Sequence, residues 1–327
     1  MKRIKITHPY GNWPLSRQIP GGGNVWGDYQ FHINEDIEEC DFWFILDDLP
    51  EKDSVKCLHE NIVLIALEFP SIRPDIDSNF LKQFSSVHTF ARSLDIHPKV
   101  LHVLPPFPWH IGIDNSTKNN PTRKYKCFDD FSFDKEIQKT KNISVISSNK
   151  NITTGHRLRL KFIDALRDNF GNEIDVFGRG INEFCDKWDV ISPYKYHIVL
   201  ENSYCQNGIS EKLYDCYLGQ AFPIYYGCPN VAEFFPDKSY LQIDIHNIDS
   251  SLQKIFNAVN NNYYEYSLPY IQEAKKLVLS QYNLFGYIKK YCEIFENSNS
   301  QKETIELMPE VSFEQNFIEK LKVIFKI

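Results

Sequence analysis

Short runs of β-branched and aromatic residues recur through the first third of the chain, at Ile4–Thr7, Phe42–Leu46, Ile62–Leu67, Val87–Phe90 and Val100–Leu104. Each has the length and content of a buried strand. Helix-length segments such as Asp77–Phe84 lie between them, and alternating β and α elements predict a parallel sheet. From Asp114 to Lys141 the chain turns polar and charged, with a proline and no period, which predicts a hinge. Beyond it the rhythm is clearer. Strands are expected at Ile143–Ser147, Ile174–Phe177, Tyr196–Leu200, Phe222–Tyr226 and Tyr240–Ile243. Between them, His156–Asn169 repeats apolar residues at Leu158, Phe162, Ala165 and Leu166, the spacing of an amphipathic helix, and Glu211–Leu218 begins another. Strand, loop and helix in this order predict a doubly wound nucleotide-binding domain with ligands at the carboxyl ends of the strands. The pattern is helical beyond Ser251. Asn297–Glu310 reads as a polar linker, and Val311–Ile327 as a helix with Phe313, Phe317, Leu321 and Ile324 on one stripe.

With 327 residues, of which 42% are apolar and 14% aromatic, the chain has enough material for two cored domains, or for one large one. The expected division is residues 1–140, residues 141–296, and a tail of residues 297–327. The net charge of −7, without a lysine-rich tail, disfavours a nucleic-acid partner, because phosphate neutralisation needs a basic surface. The opening segment lacks the apolar core of a secretion signal and no long apolar run follows, so a cytoplasmic protein is expected. The eight cysteines form no C-x-x-C pair and sit mostly in apolar segments, as reduced core thiols do.

Candidate chemistry gathers in the second half. A buried strand ends in Glu201-Asn202, a loop containing Gly208 follows, and Ser210-Glu211-Lys212 opens a helix. A helix start presents free N–H groups to a phosphate, and Lys212 adds a full charge. The Glu211 carboxylate can accept from the two hydroxyls of a ribose. On spacing alone, an N-cap followed by solvated charges is the commoner meaning of Ser-Glu-Lys. In His156-Arg157-Leu158-Arg159 the two arginines point to different faces. Arg159 shares its stripe with Phe162 and Leu166, which makes it the better diphosphate ligand. Neither a P-loop nor a G-x-G-x-x-G run is present, Gly21–Gly23 reads as a turn, and Asp47-Asp48 as structural or capping residues.

Taken in order, Ser147-Ser148-Asn149, Asp175-Val176-Phe177-Gly178-Arg179-Gly180, Tyr194-Lys195-Tyr196, Glu201-Asn202-Ser203, Ser210-Glu211-Lys212-Leu213 and Ala221-Phe222-Pro223-Ile224 resemble the signature of glycosyltransferase family 10, the α-1,3/4-fucosyltransferases. The resemblance implies an α/β protein of GT-B architecture, two Rossmann-like domains facing across a cleft. The N-terminal domain would bind the acceptor and the C-terminal one GDP-fucose. It further implies that Arg159 and Lys212 contact the diphosphate, Glu211 the ribose, and Asn202 the nucleotide or fucose, with Ser148 and Asn149 on a loop lining the nucleotide. Glu68, in Ala66-Leu67-Glu68-Phe69-Pro70-Ser71, resembles the glutamate that family members place beside the acceptor hydroxyl. Family members often carry an aromatic residue where this chain has Gly208. A lost donor contact and a left-handed backbone position are equal readings of that glycine.

The implied reaction is inverting, from GDP-β-L-fucose to an α-linked product at a hydroxyl of an oligosaccharide or glycolipid, the 3-OH of GlcNAc or Glc being the first expectation. Glu68 would take the acceptor proton, its pKa raised by partial burial after an apolar strand. Without the resemblance, a glutamate salt-bridged near Arg73 is the plainer reading. Arg159 and Lys212 would take the place of a divalent cation at the leaving group, so no metal and no cofactor beyond the donor is expected. In the first half, Trp109 and His110 are offered as an acceptor surface, with core packing an equal reading of the tryptophan. The C-terminal stripe, flanked by Lys320, Lys322 and Lys326, suits a helix lying on the inner face of an anionic membrane as well as one packed back on the protein. A same-fold transferase using another nucleotide sugar and a non-catalytic glycan-binding homologue are the alternatives.

Overall fold

The computed structural model describes residues 1–94, 99–117, 124–132, 137–147, 154–295 and 301–313. The chain forms two compact units, one of Met1–Pro106 with Tyr287–Ile327, the other of Phe107–Gly286.

The first unit is built on β1 (Lys2–Thr7), β2 (Val25–Trp26), β3 (Tyr29–Ile33), β4 (Phe42–Leu46), β5 (Asp53–Cys57), β6 (Ile62–Ile65), β7 (Ser86–Thr89) and β8 (Val100–His102). All but β5 join one sheet, ordered β2-β3-β1-β4-β6-β7-β8 and parallel except for β2. The central strand β4 is buried at every position, which is why Phe42–Leu46 is an unbroken apolar run. Trp43 and Ile45 join a core with Phe80 and Leu81 of the short helix α1 (Ser78–Leu81). That helix starts where Asp77 accepts from the amides of Asn79 and Phe80.

The second unit contains α2 (Phe128–Ser132), β9 (Lys141–Ile146), α3 (Thr154–Phe170), β10 (Ile174–Phe177), α4 (Lys187–Ile191), β11 (Tyr194–Leu200), α5 (Glu211–Leu218), β12 (Phe222–Tyr226), β13 (Leu241–Gln242), α6 (Ile248–Asn260) and α7 (Tyr263–Ser280). Its five strands are all parallel in the order β10-β9-β11-β12-β13, the doubly wound arrangement expected from the sequence. Helix α8 (Leu284–Ile294) then carries the chain back into the first unit. There Tyr291 packs edge-on against Phe42 and Phe44, covering the other face of β4. No helix among the described residues is long and apolar enough to cross a membrane.

Three expectations are corrected. The chain enters the second unit at Phe107, well before the polar stretch taken as the hinge, because Trp109, Ile111 and Ile113 are buried there. Residues 297–310 are not a plain linker. They contain β14 (Glu303–Leu307), which pairs antiparallel with β5 and buries Leu307 in the first unit's core. The tail is thus no separate segment, since the residues from Tyr287 onward belong to the first unit. Of the expected C-terminal helix only Val311–Phe313 falls among the described residues, and Phe313 packs against Phe80 with ring centroids 6.4 Å apart.

Candidate active site

At the carboxyl end of β11 the chain places Glu201, a carboxylate with 1% exposure. Its oxygens accept from the Ser210 amide at 2.8 Å and the Ser210 hydroxyl at 2.6 Å, which ties the loop of residues 201–210 into a closed arch. Ser210 in turn caps α5, accepting from the Lys212 amide. The first turn of α5 therefore starts at a fixed point, and Glu211 and Lys212 face the same cavity. Asp215, one turn further on, shares their wall.

That cavity, about 290 Å³ in volume, lies wholly within the second unit. Small-molecule sites run from about 300 to 1,000 Å³, so it suits part of a nucleotide sugar, such as a ribosyl diphosphate, better than the whole. Its charged lining alternates in sign. Lys212 Nζ lies 3.4 Å from Glu201 and 3.8 Å from Glu211, while Lys187 Nζ lies 3.3 Å from Glu211 and 2.6 Å from Asp215. Asp215 has no exposed surface, and its second oxygen accepts from the amides of His110 and Ile111, each at 2.9 Å.

Arg159, on α3, is different. Its Nη1 donates to the neutral amide oxygen of Asn202 at 2.7 Å, and its buried Nε has no hydrogen-bond partner among the described residues. Burial pulls its pKa down and Glu201 pulls it back part of the way. A guanidinium held this way has charge and a donor in reserve for an anion. For Glu211, burial pushes the pKa up, but Lys212, Lys187 and His110 outweigh it, and the carboxyl stays well below the usual range. Lys212 is pushed down by burial and, on balance, raised by Glu211 and Glu201, so both groups are charged at neutral pH.

The structure thus brings Arg159, Asn202, Glu211, Lys212 and His110 to one cavity. Ser148 and Asn149 lie outside the described residues, although the adjoining Ser147 lines the same wall. Gly208 is buried in the arch, but the left-handed residue there is Asn207 (φ 59°), so the conformational explanation of this glycine fails. Trp109 is fully buried, packed on Phe131 and Phe128 at 5.7 and 6.2 Å, and offers no face to a sugar. His110 belongs to the second unit rather than to an N-terminal acceptor surface, with its ring 3.8 Å from Glu211. Glu68 sits in the first unit just past β6, and its side chain is exposed, not partly buried.

Lys187 and Asp215 were not foreseen. Asp215 had a signal, since its spacing of four from Glu211 puts both carboxylates on one face of α5. Lys187 had none, because α4 meets α5 only in the folded chain.

Parallel sheets in two units, with charged groups gathered at the carboxyl ends of the strands in the second, define a GT-B protein built from two Rossmann-like halves. An α-glucosyltransferase solved with UDP and a mismatched 13-mer DNA has the same fold, with a TM-score of 0.52 at 11% identity over 91% of this chain and 100% of that one. The family profile "Glycosyltransferase family 10 (fucosyltransferase) C-term" matches residues 137–313, more than half of the chain, and the protein belongs to that family. Among curated relatives, the α-(1,3)-fucosyltransferase FucT of Helicobacter pylori is 30% identical over 118 residues, which is 34% of this chain and 23% of that protein. The GDP-fucose protein O-fucosyltransferase 3 of Danio rerio is 27% identical over 106 residues, 32% of this chain and 23% of that one. These matches span less than a quarter of the length of either relative.

Proposed function

We propose that this chain transfers L-fucose from GDP-β-L-fucose to a hydroxyl of a surface glycan, in the first instance the 3-OH of GlcNAc or Glc, in a single inverting displacement. The reading rests on one observation above all. Arg159 and Lys212, carried by separate helices, line one cavity with a carboxylate, Glu211, beside them. That is the charge pattern for a nucleoside diphosphate. The cations meet the phosphates, and Glu211, kept ionised, accepts from the ribose hydroxyls. Lys187 holds Glu211 from its other side.

In the reaction, a Glu68 carboxylate oxygen takes the proton of the acceptor hydroxyl as its oxygen bonds to C1 of fucose. The C1–O bond to the β-phosphate breaks, and its electron pair leaves on GDP. Arg159 and Lys212 stabilise the charge that builds on the leaving oxygen, the place a divalent cation takes in other transferases. Turnover is therefore expected to persist in a chelator.

A panel of GDP- and UDP-sugars in a thermal-shift assay tests the reading. GDP and GDP-fucose at about 100 times their Kd should stabilise the fold by about 2.7 kcal/mol. A preference for UDP-sugars would replace fucose by another donor, a reading favoured by Gly208, which leaves the arch without an aromatic ring at that position. No response to any nucleotide would remove the enzyme reading. Glu68→Ala should abolish transfer and leave GDP affinity intact.

A further inference from the structure

Asp47 follows β4 at the carboxyl edge of the first unit's sheet and takes no part in the cavity described above. It is 5% exposed and stands in the left-handed region (φ 60°), which aspartate tolerates better than most residues with a Cβ. Most of its hydrogen bonds go to one stretch of chain. The Asp47 amide donates to the Ile65 carbonyl at 2.9 Å. Its Oδ1 accepts from the amides of Leu67 at 2.7 Å and Glu68 at 3.2 Å. Its carbonyl accepts from Arg73 at 3.0 Å, and Arg73 is itself ion-paired with Glu310.

The remaining carboxylate oxygen, Oδ2, accepts from the hydroxyl of Tyr10. Tyr10 follows β1, keeps 37% of its surface exposed, and stacks on the buried His8 with centroids 5.1 Å apart. One buried side chain therefore joins the turns after three neighbouring strands, β1, β4 and β6. The last of these turns carries Glu68. Asp48, next in sequence, does something different, accepting from the amides of Leu49 and Glu310.

We propose that Asp47 is the positioning residue for Glu68, holding the backbone of the base where its carboxylate meets a sugar hydroxyl, with the exposed ring of Tyr10 fixed beside it. The inference rests on the reading of Glu68 as the base. Asp47 takes no proton in the step. It acts through the Leu67 and Glu68 amides, which fix the backbone at the one exposed residue of an otherwise buried segment, Glu68 between Leu67 and Phe69. An uncharged acceptor of the same shape can do this work, so Asp47→Asn should substitute and Asp47→Ala should not.

The test uses the full chain and three readouts. Asp47→Ala should lower kcat for fucosyl transfer about 100-fold, the cost of misplacing a reacting group by about 1 Å. The donor KM and the GDP affinity, both set in the other unit, should stay within about twofold of wild type on that geometry. Asp47→Asn should recover most of the lost kcat. In the unsubstituted protein, hydrogen exchange should show slow Leu67 and Glu68 amides despite their place in a turn, a measurement that stands even where Asp47→Ala does not fold. Fast exchange at both amides, an Asp47→Ala variant with wild-type kcat, or a loss of kcat shared equally by the Ala and Asn variants would each overturn the proposal. Full turnover by Glu68→Ala would overturn the choice of base and Asp47's role with it, whereas intact wild-type transfer with an unaffected Asp47→Ala overturns the positioning role alone.

Discussion

Replacing Lys187 by methionine probes the electrostatic structure of the cavity wall. The ammonium group sits between Asp215, 2.6 Å away and fully buried, and Glu211, 3.3 Å away with a side chain 14% exposed. Methionine fills much of the same volume but leaves Asp215, among the described residues, with only the His110 and Ile111 amides for compensation. Removing one partner of a buried pair costs about 3–5 kcal/mol, and because those two amide bonds survive, about 3 kcal/mol is expected. For a unit of this size that corresponds to a fall in Tm of about 6–12 °C. Calorimetry without nucleotide would measure it, and a double-mutant cycle isolates the cause. Asp215→Asn keeps an acceptor for both amides and removes the charge, so the combined Lys187→Met/Asp215→Asn protein should be more stable than the sum of the single losses by at least about 1 kcal/mol. A single-variant loss below about 1 kcal/mol, or strict additivity, would refute the buried-pair reasoning.

Three further outcomes follow from the same geometry. Burial holds His8 and His88 down to about 4 and His197 to about 3, so all three stay neutral in the fold while the unfolded chain takes up protons below about 6.5. Their stabilisation is complete above that value and is lost as the pH falls from 6.5 towards 4 for His8 and His88 and towards 3 for His197, at up to about 1.4 kcal/mol per pH unit for each. Denaturant midpoints at pH 7 and pH 5 should show this, with a shallower slope in His88→Gln. A Cβ at position 227 would lie 2.4 Å from Glu201 Cγ and 2.7 Å from Glu201 Cβ. Gly227→Ala should therefore displace Glu201, loosen the arch it ties to Ser210 and weaken GDP binding, measured by calorimetric titration, at a stability cost of about 1–3 kcal/mol. Leu307→Ala should cost about 2–5 kcal/mol by denaturant titration, because β14 supplies a core residue, whereas a true linker would lose almost nothing.

The elements most legible in the sequence are those buried on all sides. Phe42–Leu46 and Phe222–Tyr226 are strands at the expected boundaries, since a parallel strand covered on both faces needs apolar residues at every position. Two strands exposed along one face were invisible. Asp53–Cys57 and Glu303–Leu307 alternate polar and apolar residues over too short a span to stand out from loop sequence, and each depends on the other for pairing. The unit boundary was misplaced because polarity marks a solvated segment without saying which core its neighbours enter. The Trp109 ring, packed on Phe131, settles that locally. In the site, Glu211, Lys212 and Arg159 were legible because helix starts after strands are local features. The bond from Arg159 to Asn202 and the contact between Lys187 and Asp215 join residues 43 and 28 positions apart, which no local pattern encodes.

The pairing of β14 with β5 also sets an order of events during synthesis. A ribosome releases the whole of Phe107–Gly286 as one uninterrupted stretch, and that half holds all its own strands before residue 303 emerges. The half begun first must wait, with the edge of β5 and the seat of Leu307 open, until residues 303–307 have been made. The later-translated body is thus the first that can close, and the earlier one is the more exposed to misassociation when translation stalls.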